Sequence, residues 1–514
     1  MKLIIGRNRF QYLKWRWVPA FLIGFSSMVS CSVSRTAYDP ERKYAPEKLQ
    51  EDYRLFRNVL EESHPSLYWF TPKDSIDQYF DQGYKTLTDS MTERSFRTMM
   101  TYVITKIRCG HTSLRYSSKY SKYLDTAKLK VFPLRMKFWG DTAVVTGTLL
   151  PKEPLIKRGT IITAINGYPI TQLRDTIFQY LTGDGFSVAG KYQSLSNLGN
   201  FGVSYKNLFG LPDTFRIQYV DSLGYTKDLT VPVFDPNKDS LLRFRGFREI
   251  QTTRRERRAR EKFSIRSLQV DTSLSSGYMT LNSFTRGSGM KKFFRRSFRS
   301  IRKLGLENLV IDVRGNGGGD AGNSTLLTQY LSNKPFKIAD SLYAIKRSSQ
   351  YRDYIKWQSV YWFMMKTVTR KHSDGKYHFG YFERHFFKPK KKNHFDGNVY
   401  ILIGGNSFSA TTLFAQALKG QENVQIIGEE TGGGAYGNTA WMIPEARLPN
   451  TGIRLRIPKF RLVMDKRLVS EGRGVMPDIT VSPTAEDIRM GIDVKVEAVR
   501  KIIENNRKRR KVKG

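Results

Sequence analysis

The chain has 514 residues, 39% of them hydrophobic and 13% aromatic, so core size does not limit folding and two or three domains fit. Its 86 Lys and Arg against 46 Asp and Glu give a formal net charge of +40, which alone points to nucleic acid, an anionic membrane or an acidic substrate. The basic residues are spread along the chain without a zinc-finger spacing, an RNA-binding aromatic signature or a basic zipper, so no nucleic-acid partner is expected. Two cysteines, Cys31 and Cys109, supply no disulfide framework, and six histidines without a His-Glu-x-x-His arrangement give no reason to expect a catalytic metal or a cofactor.

Residues 1–31 read as an export signal. Lys2, Arg7, Arg9, Lys14 and Arg16 form a basic start, and residues 18–29 are apolar apart from Ser26 and Ser27, too short to span a bilayer comfortably. The segment ends Met28-Val29-Ser30-Cys31, which resembles a bacterial lipoprotein cleavage site. That resemblance implies cleavage before Cys31, a lipid anchor on Cys31, and a chain facing the periplasm or the outside of a bacterial cell envelope. An uncleaved signal anchor and an ordinary secretory signal are the alternatives. Residues 32–48 are polar and serve as a tether.

Residues 49–125 carry Leu55, Leu60, Phe80, Leu87, Phe96, Met99 and Ile104 at helical spacings and are expected to be helical. His64 precedes Pro65, which favours an extended helix exit and a structural role. His111 lies in Cys109-Gly110-His111-Thr112, a loop after an apolar helix, where a lone histidine is ordinarily structural. Residues 131–234 turn to strand-like pieces at 131–138, 143–149 and 215–219. Between them Ile165-Asn166-Gly167-Tyr168 is a hairpin-like turn, with a helix expected at 171–180. This run resembles the middle of a PDZ domain without its Gly-Leu-Gly-Phe loop. Domains of that kind bind extended peptides by strand addition.

Residues 235–264 are polar and basic and read as a linker. From there α and β patterns alternate through residue 485. Gly277-Tyr278-Met279-Thr280-Leu281-Asn282-Ser283-Phe284 reads as a strand, 289–304 as a basic-faced helix and 309–313 as a buried strand that enters Arg314-Gly315-Asn316-Gly317-Gly318-Gly319-Asp320. Strand, glycine-rich turn and helix together make an anion-binding nest. No Gly-Lys-Ser/Thr follows, and Asp320 stands where a dinucleotide fingerprint needs its last glycine, so a nest for an oxyanion is preferred to one for phosphate. Residues 338–395 form an aromatic-rich insertion, a lid, a groove wall or plain packing. Val399-Tyr400-Ile401-Leu402-Ile403 is a buried strand leading through Gly404-Gly405-Asn406-Ser407-Phe408-Ser409-Ala410 into a helix. A hydroxyl at such a strand-to-helix turn, where unpaired amides favour negative charge, suits a nucleophile, and Ser409 is the better placed of the two serines. The alternative is that both serines only cap the helix. Residues 486–514 are a basic terminal helix.

Taken together, these segments resemble the tail-specific (C-terminal processing) and tricorn-core family of serine peptidases. The resemblance covers residues 49–479 in motif order: helical start, PDZ-like insert, Tyr278-Met279-Thr280-Leu281, the Asp312–Asp320 turn, Ser407-Phe408-Ser409-Ala410, Gly428-Glu429-Glu430-Thr431 and Gly474-Val475-Met476-Pro477-Asp478. It implies a crotonase-like α/β spiral core with an N-terminal helical segment and a PDZ-like β-rich insert, and a polypeptide substrate. Where the processing branch places its lysine base this chain has Gly434. Gly110-His111-Thr112 and Glu471 instead match the tricorn-like branch. The resemblance therefore implies Ser409 as nucleophile, His111 as base, Glu471 as the group orienting it, and an oxyanion hole from the backbone of Gly317, Gly318 and Ala410. Phe408 replaces the usual alanine and Thr411-Thr412 the usual Ser-Glu. The rivals are a catalytically inactive peptide-binding scaffold of the same fold and, less well supported, an anionic-polymer binder.

Overall fold

In the computed structural model, which describes residues 38–150, 153–238 and 254–513, the strand Asn398–Ile403 lies within a six-stranded sheet. The strand order is Arg266–Asp271, Ser276–Leu281, Asn308–Asp312, Asn398–Ile403, Val424–Gly428 and Ile479–Thr480. The first pair is antiparallel and the others are parallel. The apolar runs Leu309-Val310-Ile311 and Val399-Tyr400-Ile401-Leu402-Ile403 are buried throughout, as parallel strands covered on both faces require. Side chains alternate across a strand. Leu309, Ile311, Ile401 and Ile403 therefore face Phe294, Phe298 and Phe414 in one core. Val310, Tyr400 and Leu402 meet Val499 and Ile503 of the C-terminal helix in another.

Helices Met290–Lys303, Ala321–Leu331 and Ala410–Leu418 contribute to the first core. In Met290–Lys303 the residues at helical spacing, Met290, Phe294, Ser297, Phe298 and Ile301, are buried, while Lys291, Lys292, Arg295, Arg296, Arg299 and Arg302 are exposed. Each fully buried phenylalanine contributes roughly 1.5–3 kcal/mol of burial.

Helices Pro46–Ser63, Lys73–Lys85 and Glu93–Thr105 bury Leu55, Phe56, Phe80, Phe96 and Ile104 in a separate cluster. That cluster is completed from far along the chain, by Ile453, Leu455 and Ile457. The buried Asp52 carboxylate accepts from Thr451 N at 2.8 Å and Thr451 Oγ1 at 2.6 Å, a second tie between the two ends. The short strand Ser113–Arg115 pairs antiparallel with Arg454–Arg456. These contacts bring the loop containing His111 to the late part of the chain.

Between helical and sheet regions lies an antiparallel sheet of Leu134–Trp139, Thr142–Thr148, Ile161–Ile165, Thr214–Val220 and Thr226–Pro232. Asn166 and Gly167 both take positive φ, 52° and 82°, the geometry of a tight hairpin turn. Helices Ile170–Phe178, Ala189–Ser196 and Asn200–Phe209 accompany this sheet. Arg254–Ile265, inside the stretch expected as a linker, is a helix, consistent with its Arg, Glu, Lys and Ala content. In the aromatic insertion Leu342, Ala344 and Met365 are buried, whereas Trp357 and Phe363 are more than half exposed. The export signal, Cys31 and the first part of the tether lie outside the described residues. Among those described, no helix is long and apolar enough to cross a membrane.

Candidate active site

The two serines of the elbow have different fates. Ser407 is fully buried, donates its hydroxyl to Val313 O at 2.8 Å and accepts from Gly404 N at 3.2 Å. It pins the turn to the end of the neighbouring strand. Ser409 is half-buried, its hydroxyl caps no helix amide, and its backbone sits at φ 56°, ψ −121°. An L-residue pays for that conformation, and such strain collects at functional sites. A sharp turn of this kind lifts a serine out of the strand and sets it at the head of a helix, here Ala410–Leu418.

The glycine-rich turn lies directly against this elbow. A Cβ on Gly318, whose φ is +96°, would come within 2.8 Å of Phe408 O, 2.8 Å of Ser409 Cβ and 3.0 Å of Ala410 N. Only a residue without a side chain permits that approach. Asn316 holds the two pieces together: its carbonyl accepts from Phe408 N at 3.1 Å and its Oδ1 accepts from Gly318 N at 2.9 Å. Of the three amides expected to form the oxyanion hole, Gly318 is therefore already shared with Asn316, while Ala410 heads the helix. Gly433 packs on the other side, where a Cβ would lie 3.0 Å from Ser409 N.

His111 is brought to this elbow. Its ring packs against Phe408, the residue before Ser409, with ring centroids 4.7 Å apart. Gly110 makes the contact possible, since a Cβ there would meet the Phe408 ring at 2.6 Å. Burial, reinforced by the Arg456 guanidinium, pushes the His111 imidazole down to about 3, so the ring is neutral and able to accept a proton. Its Nδ1 has no hydrogen-bond partner among the described residues. His64, expected to be structural, is buried with both ring nitrogens engaged. Nδ1 accepts from Ser66 N at 3.2 Å, which leaves Nε2 to donate to Thr112 Oγ1 at 2.7 Å.

Glu471 is exposed and forms no hydrogen bond or ion pair with the described residues, so no carboxylate of this residue reaches His111. A different acid lies by the base loop. Asp184 is buried, its Oδ1 accepts from Gly110 N at 2.7 Å, and the Gly434 backbone also lies close enough to favour the carboxylate, although Oδ2 makes no well-formed hydrogen bond among the described residues. Burial pushes its carboxyl up to about 7. In the sequence Gly183-Asp184-Gly185 signals only a turn, and nothing there ties it to a histidine 73 positions earlier. Arg456 was equally hidden: it reaches the base loop only through strand pairing. Gly434, where a lysine base would stand, faces the Tyr436 ring, which a Cβ would meet at 2.4 Å. No group of three His, Cys, Asp or Glu among the described residues is placed to hold a metal ion.

Residues 275–481 match the model of Peptidase family S41. Among solved structures, the chain resembles mature CPAF with a TM-score of 0.59 at 15% identity, over 89% of this chain and 96% of that one. It resembles mature CPAF complexed with lactacystin with a TM-score of 0.58 at 14% identity, over 89% and 98%. At these identities the likeness is one of fold, and it extends well beyond the segment matched by the family model. No curated protein matches the chain by sequence.

Proposed function

We propose that this chain, whose residues 275–481 match the model of Peptidase family S41, is a serine-type endopeptidase anchored to the bacterial cell envelope through Cys31, cutting extended or unfolded polypeptides. Ser409 Oγ attacks the scissile carbonyl, and His111 takes its proton and returns it to the leaving amine. Backbone amides of Gly317 and Ala410, with Gly318 shared with Asn316, stabilise the tetrahedral oxyanion. The observation that carries this reading is the strained backbone of Ser409, wedged between the glycine turn and the helix head, with the His111 ring packed against the neighbouring Phe408.

Replacing Ser409 with Ala is expected to abolish both cleavage of an unfolded protein and labelling by a fluorophosphonate. Turnover unchanged by this substitution rules the assignment out. The anchor is tested separately by Cys31→Ser, which should move the protein out of the membrane fraction. The second reading, a peptide-binding scaffold without turnover, draws its support from the exposure of Glu471 and the unpartnered Nδ1 of His111. It predicts no labelling of Ser409.

A further inference from the structure

A cavity of about 210 Å³ opens where the turn after helix Glu93–Thr105 meets residues 179–191. Its lining includes Lys106, Arg108 and Lys191 and contains no Asp or Glu. All three cations rest on neutral partners. Lys106 Nζ donates to Gln179 Oε1 at 2.7 Å, Lys191 Nζ donates to Phe178 O at 2.8 Å, and the Arg108 guanidinium lies over the Phe186 ring, 4.7 Å from its centroid. Holding three like charges on one small cavity without a counter-charge is unfavourable. The stress is visible at Lys191, whose ammonium is pushed down to about 8, first by burial and then by Arg108 and Lys106. An entering anion relieves it.

The cavity is also joined to the active site by the chain itself. Arg108 is three residues before His111, and its carbonyl accepts from Gly185 N at 2.9 Å. Phe186 N donates to Gly472 O at 2.8 Å and Ser187 Oγ donates to Thr431 O at 3.1 Å, so one wall is fastened to the loops that carry Glu471 and follow the elbow.

We propose that this cavity is a carboxylate subsite that takes an acidic side chain, Asp or Glu, of the bound polypeptide between Lys106, Arg108 and Lys191. The assignment rests on the peptidase reading above and adds a preference to it. A carboxylate can also come from a free C-terminus, so the test separates the two sources.

The full chain carrying Ser409→Ala, which holds peptides uncut, is titrated with four labelled unstructured peptides. They contain Glu or Gln at one central position, each with a free or an amidated C-terminus. With amidated ends, the Glu peptide should bind about ten-fold more tightly than the Gln peptide, the yield of one charge-assisted hydrogen bond. Adding Lys191→Met or Lys106→Met should bring the Glu peptide to the level of the Gln peptide and leave the latter unchanged. If one variant fails to fold, the other and the peptide comparison decide. Equal affinities, no binding at all, or a gain that follows only the free C-terminus overturns the proposal. Wild-type turnover of the Gln peptide and fluorophosphonate labelling of Ser409 are run in parallel. Turnover without a Glu preference overturns the subsite alone. Absent turnover and labelling overturn the peptidase reading, with the binding titration still judging the cavity.

Discussion

The backbone of Ser409 makes a stability prediction with an unusual sign. At φ 56°, ψ −121° an L-residue carries roughly 1–3 kcal/mol of strain, whereas glycine carries none. Glycine also gives the unfolded chain more freedom, which returns about 0.4–1 kcal/mol. The Ser409 hydroxyl makes no hydrogen bond among the described residues, so deleting it costs little. Ser409→Gly should therefore be about 1 kcal/mol more stable than Ser409→Ala, although both lose turnover. With an unfolding entropy of roughly 2 cal/mol/K per residue over a chain of 514 residues, that is a shift in Tm of only about 1 °C. Denaturant unfolding of the two variants side by side is the better assay. Ser407 supplies the control of opposite sign. Its φ is not positive, and its hydroxyl bridges Val313 O and Gly404 N, so Ser407→Gly should lower stability by about 1–3 kcal/mol. If Ser409→Gly proves no more stable than Ser409→Ala, the elbow is not strained and the argument from strain to nucleophile is lost.

Gly318→Ala places a methyl 2.8 Å from both Phe408 O and Ser409 Cβ at a φ of +96°. It should cut kcat by about 10²–10³-fold, the effect of spoiling an oxyanion donor, and steady-state kinetics showing a smaller loss than ten-fold would contradict the placement. Burial and Arg456 hold His111 well below its usual 6.5, so the acid limb of kcat/KM should fall below that value, and Arg456→Gln should raise it part of the way. A wild-type limb at or above 6.5 is the contrary result. The Asp184 carboxyl is raised from 3.8 to about 7, so the stability tied to its neutral form is fully present below 3.8 and lost as pH rises through 7. Asp184→Asn should therefore flatten the stability curve over that window by up to about 4 kcal/mol, and parallel curves for variant and wild type in denaturant melts would refute this. Gly434→Lys in a His111→Ala background should restore no hydrolysis, because the Tyr436 ring occupies the side-chain path, and any recovery would show the path is open.

What was legible in the sequence followed from local periodicity and turn chemistry. The buried strand, the glycine turn and the helix that frame Ser409 each announce themselves within about ten residues, and all three are where the pattern put them. Ser409 was preferred to Ser407 for its place next to the helix, and it stands immediately before Ala410–Leu418. His111 was a different matter. Nothing near Gly110-His111-Thr112 indicates that Ser113–Arg115 will pair with Arg454–Arg456, and it is such ties that deliver the ring to Phe408. Asp184 and Arg456 were invisible for the same reason, because their roles are created by packing between distant segments. The helix Arg254–Ile265 was missed because a highly charged stretch without apolar periodicity reads as linker although its residues favour helix.

The polar atoms around the elbow bear on why the site has this composition. His111 Nδ1, Asp184 Oδ2, Asn316 Nδ2, Thr411 Oγ1 and Thr412 Oγ1 are buried without a hydrogen bond among the described residues. A buried polar group left unpaired costs roughly 1–3 kcal/mol, so a fold selected for stability alone would pair such groups or remove them. Here they gather on four connected pieces: the base loop, the loop against it, the glycine turn and the first turn of the elbow helix. These five are among twelve such atoms in the described residues, and together with the strain at Ser409 they fit groups held ready for a substrate. The scaffold reading has to explain the same concentration without turnover. If Ser409→Gly, Asp184→Asn and Thr412→Val each stabilised the protein, while Ser409→Gly and Asp184→Asn also abolished or slowed hydrolysis, stability and catalysis would be opposed at this site, an outcome the scaffold does not predict.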